Sequence, residues 1–394
     1  MRLINAHTLE LEDFTAQAPH YAILSHRWVG RELTYEQYLD PQARTGPSFE
    51  KILEFCDIVR TGFKISGRAQ RPELFAWVDT CCIDKRSSAE VSEAINSMWE
   101  WYSNAEFCVA YLFDVGNSDT SIASSEWFRR GWTLQELLAP RNVIFFNQNW
   151  EIITDKWGCY EIICETTGIP PERLLSGNAR RASVAQKMSW ASGRVTTRRE
   201  DQAYCLFGLF DVNLPLLYGE GDRAFTRLQK AIVLESDDES IFAWSSPLGN
   251  FSGILARSVK DFNESSEVVR CSNEGNRSFR VTSQGIEVET TLLRLPFSTG
   301  DEVRLMVLNC ATVHEQRARR VLIALRKLDS HRYQRVHARY LEWKDISYDM
   351  VDEAVEAGAC TPEDAAKILI QDDRLLVSTL GSSQDGKVEG YEMM

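Results

Sequence analysis

The segment RRGWTLQELLAP (129–140) sets one acid, Glu136, among Leu134, Leu137 and Leu138. A carboxylate among leucines needs a hydrogen-bonding partner or a chemical task, because burying it alone is costly. Trp132 precedes it by four residues. On a helix the indole and the carboxylate then share a face, and an aromatic wall beside a carboxylate suits a cationic ring with a sugar attached. The competing reading is a staple, in which Arg129 or Arg130 pairs with Glu136 and merely holds the turn.

Other residues with chemical capacity follow short apolar runs. Ser25, His26, Arg27 and Trp28 follow one; Asp79, Cys82, Asp84 and Lys85 follow a second; Asp114 follows a third. Arg27, Lys85 and Arg86, with Arg129 and Arg130 nearby, would line an anion pocket. Each has a plainer reading. Cys81 and Cys82 suit the core, free cysteine being among the most buried residue types, against a thiol–imidazole pair of Cys82 with His26. Asp79 can cap its own loop through an Asx-turn. Glu90, three residues after Ser87, reads as half of a capping box. Trp99, Trp101 and Trp127 read as core, and the GEG at 219–221 as a turn, since it lacks the strand context of a dinucleotide fingerprint.

The elements that must position these residues alternate in type. YAILS (21–25), LFAWVD (74–79), FCVAYLF (107–113) and NVIFF (142–146) suit buried strands. FEKILEFCDIVRTGF (49–63) places Ile52, Phe55, Cys56 and Val59 at helical spacing, and the segment 87–105 does the same with Val91, Ile95, Met98 and Tyr102. The alternation predicts a parallel sheet with helices on both faces. In such a sheet ligands bind beyond the carboxyl ends of the strands, where the polar residues above fall. Residues 181–238 read as a helical extension of this 1–180 core. Beyond the acidic ESDDES (235–240) the texture alternates like an antiparallel sheet, so 239–394 reads as a β-rich domain. Within it TPEDAAKILI (361–370) reads as a capped helix and 381–394 as a frayed tail.

Bulk properties narrow the function. A net charge of −13 over 394 residues argues against a nucleic-acid surface spanning the protein. The start has no apolar signal core and no run approaches membrane-spanning length. Ten cysteines without a secretory signal point to reduced thiols and a cytoplasmic setting. Without CxxC spacing, no structural zinc site is expected.

Three stretches together resemble the motifs of the fungal HET domain, named for heterokaryon incompatibility: YAILSHRW, WVDTCCIDKRSSAEVSEAINSMWEWY and WFRRGWTLQELLAP. The resemblance continues through residues 188–229 and covers roughly the first 240 residues. SIFAW (240–244) and SGILARSVKDF (252–262) resemble the domain that often follows HET. It implies a role in nonself recognition and programmed cell death, comparable to innate immunity. Larger members carry an NTPase module and WD repeats, but no GxxxxGK[ST] loop and no repeat occurs here. The HET domain in turn resembles a distant TIR domain, which implies a TIR- or flavodoxin-like α/β core. In catalytic TIR domains the Glu of a W-x-x-x-E turn serves cleavage of NAD at the nicotinamide–ribose bond. That role falls by resemblance on Glu136, with Trp132 beside it; Ser25, His26, Arg27, Trp28, Asp79, Cys82, Asp84 and Lys85 are the candidate substrate contacts. RRG stands where such TIR sequences carry a serine. The resemblance implies NAD as substrate with no bound cofactor. Self-association through the core and contacts with other incompatibility proteins are the expected partners. The alternative is a non-catalytic assembly module.

Overall fold

The computed structural model describes residues 1–15, 17–65, 68–70, 73–116, 122–246, 251–271, 278–290, 292–294, 303–314, 317–336, 361–362 and 366–371. The tail at 381–394 lies outside the described residues. Met1–Ile232 with Arg257–Val269 form one compact unit, and Val233–Ala256 with Arg270–Met394 form another.

The first unit is built on seven strands. These are β1 (Arg2–Asn5), β2 (Leu11–Asp13), β3 (Tyr21–His26), β4 (Phe75–Trp77), β5 (Phe107–Tyr111), β6 (Val143–Phe146) and β7 (Ile152–Asp155). The sheet order is β2-β1-β4-β3-β5-β6-β7. The four apolar runs read as strands form its centre, all parallel: Ala22 pairs with Ala76 on one side and Phe107 on the other, and Cys108 pairs with Val143. Every residue of β3, β4 and β6 is buried, which matches their near-continuous apolar sequences. The sheet as a whole is mixed, correcting the expected parallel one. The β1–β2, β1–β4 and β6–β7 pairs are antiparallel. The physical reason lies in the short β1–β2 and β6–β7 links, since a parallel return needs a crossover of a dozen residues or more.

Helices flank the sheet: α1 (Pro47–Thr61), α2 (Asp79–Cys82), α3 (Ser88–Asn104), α4 (Thr133–Leu138) and α5 (Val184–Ser192). α1 buries Ile52, Phe55, Cys56 and Val59. α3 buries Ile95, Met98 and Tyr102 together with Ala94 and Trp99. Ser87 caps α3 by accepting from the Glu90 N–H at 3.2 Å. Glu90, however, does not turn back to complete a capping box. Its carboxylate accepts from the Asp84 N–H at 2.7 Å and from Arg2 at 2.9 Å, tying the α2–α3 loop to β1. Residues 257–269 group with this first unit, although their sequence reads with the C-terminal β-rich segment. Ser183, the cap of α5, donates to the Val268 carbonyl at 2.6 Å.

The second unit is β-rich. Its strands include β8 (Gly285–Thr290), β9 (Val303–His314), β10 (Arg317–Lys327), β11 (Arg332–Val336) and β12 (Ala366–Gln371), in the order β8-β12-β11-β10-β9. The helix expected at 361–370 is absent. Thr361–Pro362 pairs with the short strand Leu292–Arg294, and β12 lies antiparallel to β8 and parallel to β11, with Ile368 opposite Val288 and Ile370 opposite Ile286. The Thr-Pro start is a sound helix signal, but AKILIQ also alternates, and a slot between two strands satisfies its backbone on both edges. The buried Arg335 donates to the carbonyls of Phe242 and Trp244 at 2.9 and 2.6 Å, with its guanidinium 3.9 Å from the Trp244 ring centroid.

Candidate functional site at the ends of the central strands

Ser25 and His26 are the last two residues of β3. Successive strand residues point to opposite faces, so each side chain enters a different cluster. In the four-strand parallel core the chain order reverses between β3 and β5, which is where an open α/β sheet forms its crevice.

On one face the Ser25 hydroxyl donates to Oε2 of Glu136, and the Trp127 indole N–H donates to Ser25 Oγ at 2.8 Å. Glu136 is 8% exposed. Burial pushes its carboxyl up to about 7; Ser25 opposes the rise, the charge of Asp79 adds to it, and Arg130 and Tyr102 oppose it. The carboxylate therefore faces inward, bonded to Ser25 and not ion-paired with Arg129 or Arg130, so the staple does not form. The turn bearing Trp127 is held by the end of the third central strand. Asp114 accepts from the Ser125 hydroxyl at 2.7 Å and from the Glu126 N–H at 2.8 Å. The indole then packs edge-on against Phe145, centroids 5.7 Å apart.

Trp132 is not the tryptophan of this pair. It is half-buried and stands beside Asp201, whose carboxyl burial pushes up and Tyr218 and Trp132 hold down. Asp201 accepts from the Tyr218 hydroxyl at 3.0 Å. The expected W-x-x-x-E face is thus divided: Glu136 goes to the sheet and Trp132 to the helical extension. Trp127, read from sequence as core, is both core and partner of the site. A buried indole N–H must find an acceptor, but nothing in the sequence says that the acceptor is Ser25.

On the other face His26 is buried, with Nδ1 3.9 Å from Asp79 and Nε2 3.9 Å from Glu32. Neither ring nitrogen makes a hydrogen bond. Burial, reinforced by the Lys51 charge, lowers its pKa to about 3, so the ring is neutral. Glu32, absent from the sequence reading, is fixed by Lys51 at 2.6 and 2.7 Å and by Ser48 at 2.8 Å. Asp79, the first residue of α2, accepts from the Trp28 indole at 3.0 Å and lies 3.6 Å from the Lys85 ammonium. That ammonium sits 3.5 Å from the Trp28 ring centroid, a cation–π contact. Trp28 is 42% exposed, so this Trp28–Asp79–Lys85 group reaches solvent.

The remaining expected contacts are engaged elsewhere. Arg27 pairs with Glu126. Asp84 accepts from Arg86 at 2.9 and 3.0 Å. Cys82 is buried, with its sulfur accepting from the Val78 N–H at 3.4 Å, so no thiol–imidazole pair with His26 is formed. Of the expected contacts, the structure places Ser25 with Glu136 on one face and His26, Trp28, Asp79 and Lys85 together on the other, and engages Arg27, Cys82 and Asp84 elsewhere.

Residues 21–121 match the family model described as heterokaryon incompatibility protein (HET). Residues 21–121 carry a HET domain. It is also 43% identical over 233 residues to the vegetative incompatibility protein HET-E-1 of Podospora anserina, a match covering 55% of this chain and 16% of that protein. The chain therefore spans a small part of that relative's length. No solved structure matches the chain. The family match takes in Ser25, His26, Asp79 and Lys85 and ends before Trp127 and Glu136. No helix among the described residues is long and apolar enough to cross a membrane.

The turn carrying Trp127 and Glu136 is clamped by residues 194–196 of the same unit. Gly131 donates its N–H to the Val195 carbonyl at 3.0 Å, and the Val195 N–H donates to the Arg129 carbonyl at 2.7 Å. A Cβ on Gly131 would lie 2.5 Å from Thr196 Cγ2 and 3.1 Å from Cys205 Sγ. Gly131→Ala is therefore expected to cost about 1–3 kcal/mol through overpacking. Gly193→Ala, where an added Cβ meets nothing within 4 Å, is the control. Thermal denaturation of the two variants checks this; equal midpoints would refute the close approach.

Proposed function

We propose that this HET-domain protein acts in nonself recognition, with a TIR-like core that hydrolyses NAD at the nicotinamide–ribose bond. The central strand order, second-first-third-fourth, supports a flavodoxin- or TIR-like reading of the core. The observation that carries the chemistry is Glu136, a buried carboxylate bonded to Ser25 at the end of a central strand. Nicotinamide leaves NAD as a neutral base, so the reaction needs no general acid. Its demand is for negative charge beside an oxocarbenium-like ribose, which a preorganised carboxylate of low exposure supplies. The exposed Trp28–Asp79–Lys85 group at the same strand ends would receive the phosphate end of the substrate through the Lys85 ammonium. The likeness to a vegetative incompatibility protein supports the biological role. Free buried thiols such as Cys81 and Cys82 suit a reducing, cytoplasmic setting.

A second reading rests on the same carboxylate. Glu136 already holds Ser25 and is 8% exposed, as in a buried polar lock of a non-catalytic module that acts by self-association or by binding other incompatibility proteins. The deciding experiment incubates the purified chain with NAD and follows nicotinamide release, wild type against Glu136→Gln. Release lost in the variant supports catalysis. No release by the wild type in any oligomeric state, or full release by the variant, overturns it in favour of assembly.

A further inference from the structure

A cleft of about 400 Å³ in the first unit is lined by Arg199, Gln202, Asp222, Phe225, Arg257 and Lys260, with Ser258 at its edge. It shares no residue with either cluster at the strand ends. Its volume falls in the range of small-molecule sites. Three cations come to it from two separate stretches of chain, against the single carboxylate of Asp222. In a protein of net charge −13 such a local excess needs a reason.

The neighbouring acids do not neutralise it. Glu200, adjacent to Arg199, turns its carboxylate to the N–H groups of Gly219 and Gly221 at 2.8 and 3.0 Å. Asp261, adjacent to Lys260, accepts from the N–H groups of Arg257 and Ser258 at 3.0 and 3.1 Å. Asp261 thus fixes the backbone on which Arg257 stands and Glu200 ties the 219–221 turn, while the cationic heads keep their donors. Among the described residues, Arg199, Arg257 and Lys260 form no ion pair with a carboxylate. Gln202 adds amide donors and the Ser258 hydroxyl a further one, while the buried Phe225 adds an apolar surface. Two guanidinium groups and an ammonium around one concavity suit phosphate oxygens. Three positive charges exceed what a single phosphate group needs.

The geometry points to this cleft as a binding site for the polyphosphate group of a small molecule. Titration calorimetry on the full chain, with inorganic pyrophosphate, orthophosphate, ADP and ATP as probes at low salt, tests it. Pyrophosphate is expected to bind one per chain, at least about tenfold tighter than orthophosphate, and to weaken as salt rises. The double variant Arg257→Glu with Lys260→Glu, both exposed and so tolerated by the fold, is expected to lose at least about tenfold in affinity. Circular dichroism confirms that it is folded, and Arg60→Glu, at an exposed side chain that does not line the cleft, should leave binding unchanged. ADP or ATP binding tighter than pyrophosphate assigns the site to a nucleotide; equal affinities assign it to the polyphosphate alone. No pyrophosphate binding, no preference over orthophosphate, or full binding by the double variant overturns the inference. Glu136→Gln should leave pyrophosphate affinity intact, so this result stands or falls apart from NAD hydrolysis.

Discussion

Under the proposed NAD hydrolysis, Glu136→Gln is expected to reduce nicotinamide release by about a hundredfold or more, the scale on which removing one preorganised electrostatic group costs an enzyme. Glutamine keeps the size of the side chain and an oxygen for the Ser25 hydroxyl but removes the charge that would face the ribosyl cation. The wild-type rate should rise with pH to a plateau above about 7, where burial has placed the Glu136 carboxyl, because only the ionised form offers that charge. Stability should run the other way. The folded pKa lies above the ordinary 4.5, so the protonated acid favours the fold. Its contribution is whole below about 4.5 and is lost as pH rises through about 7, a change of about 3 kcal/mol. Glutamine carries no such proton. The variant should gain stability relative to wild type as pH is raised from 5 to 8, read from paired denaturation midpoints. A difference that does not vary with pH would mean that Glu136 titrates normally and is not buried as described.

The second large effect is expected at Arg194, which the sequence reading did not single out. Its guanidinium is 5% exposed and donates to the Arg130 carbonyl at 2.9 Å, the Thr133 hydroxyl at 3.0 Å and the Trp190 carbonyl at 3.2 Å. Those bonds join the end of α5 to the first residue of α4, the helix that carries Glu136. Burial lowers its pKa to about 10, against the opposing pull of Cys205 and Glu136, so it stays charged at neutral pH. Arg194→Met keeps the bulk but removes the bonds and a buried positive charge that interacts with the Glu136 carboxylate. The expected cost is about 3 kcal/mol, from lost charge-assisted bonds and acceptors left unsatisfied. Arg86→Met, on an exposed side chain, should shift the midpoint by no more than about 0.5 kcal/mol. A shift at Arg194 no larger than that of the control would refute the clamp.

Both effects rest on contacts of very different legibility. The central strands were readable because fully buried β residues appear as short unbroken apolar runs, YAILS and NVIFF among them, and α1 because its buried residues recur at helical spacing. The sheet edges were not, since β2 (LED) carries no apolar signal and its place follows from a hairpin with β1. AKILIQ went wrong because its local start signal was overridden by a vacancy between two strands 30 or more residues away in sequence.

At the site, residue types and their local order were enough to set an acid among leucines at position 136 and to put Ser25, His26 and Asp79 at the ends of strands. They were enough because residue type and local period are properties of a single segment. The packing of the fold brings the carboxylate to Ser25 across 111 residues of chain and gives Ser25 the Trp127 indole as its second partner. It likewise sends Trp132 to Asp201 and leaves Arg129 and Arg130 outside the pair. The physical reason is that a buried donor or acceptor must be satisfied by whatever the fold brings within hydrogen-bond reach. That neighbour is fixed by the packing of strands and turns, not by distance along the chain.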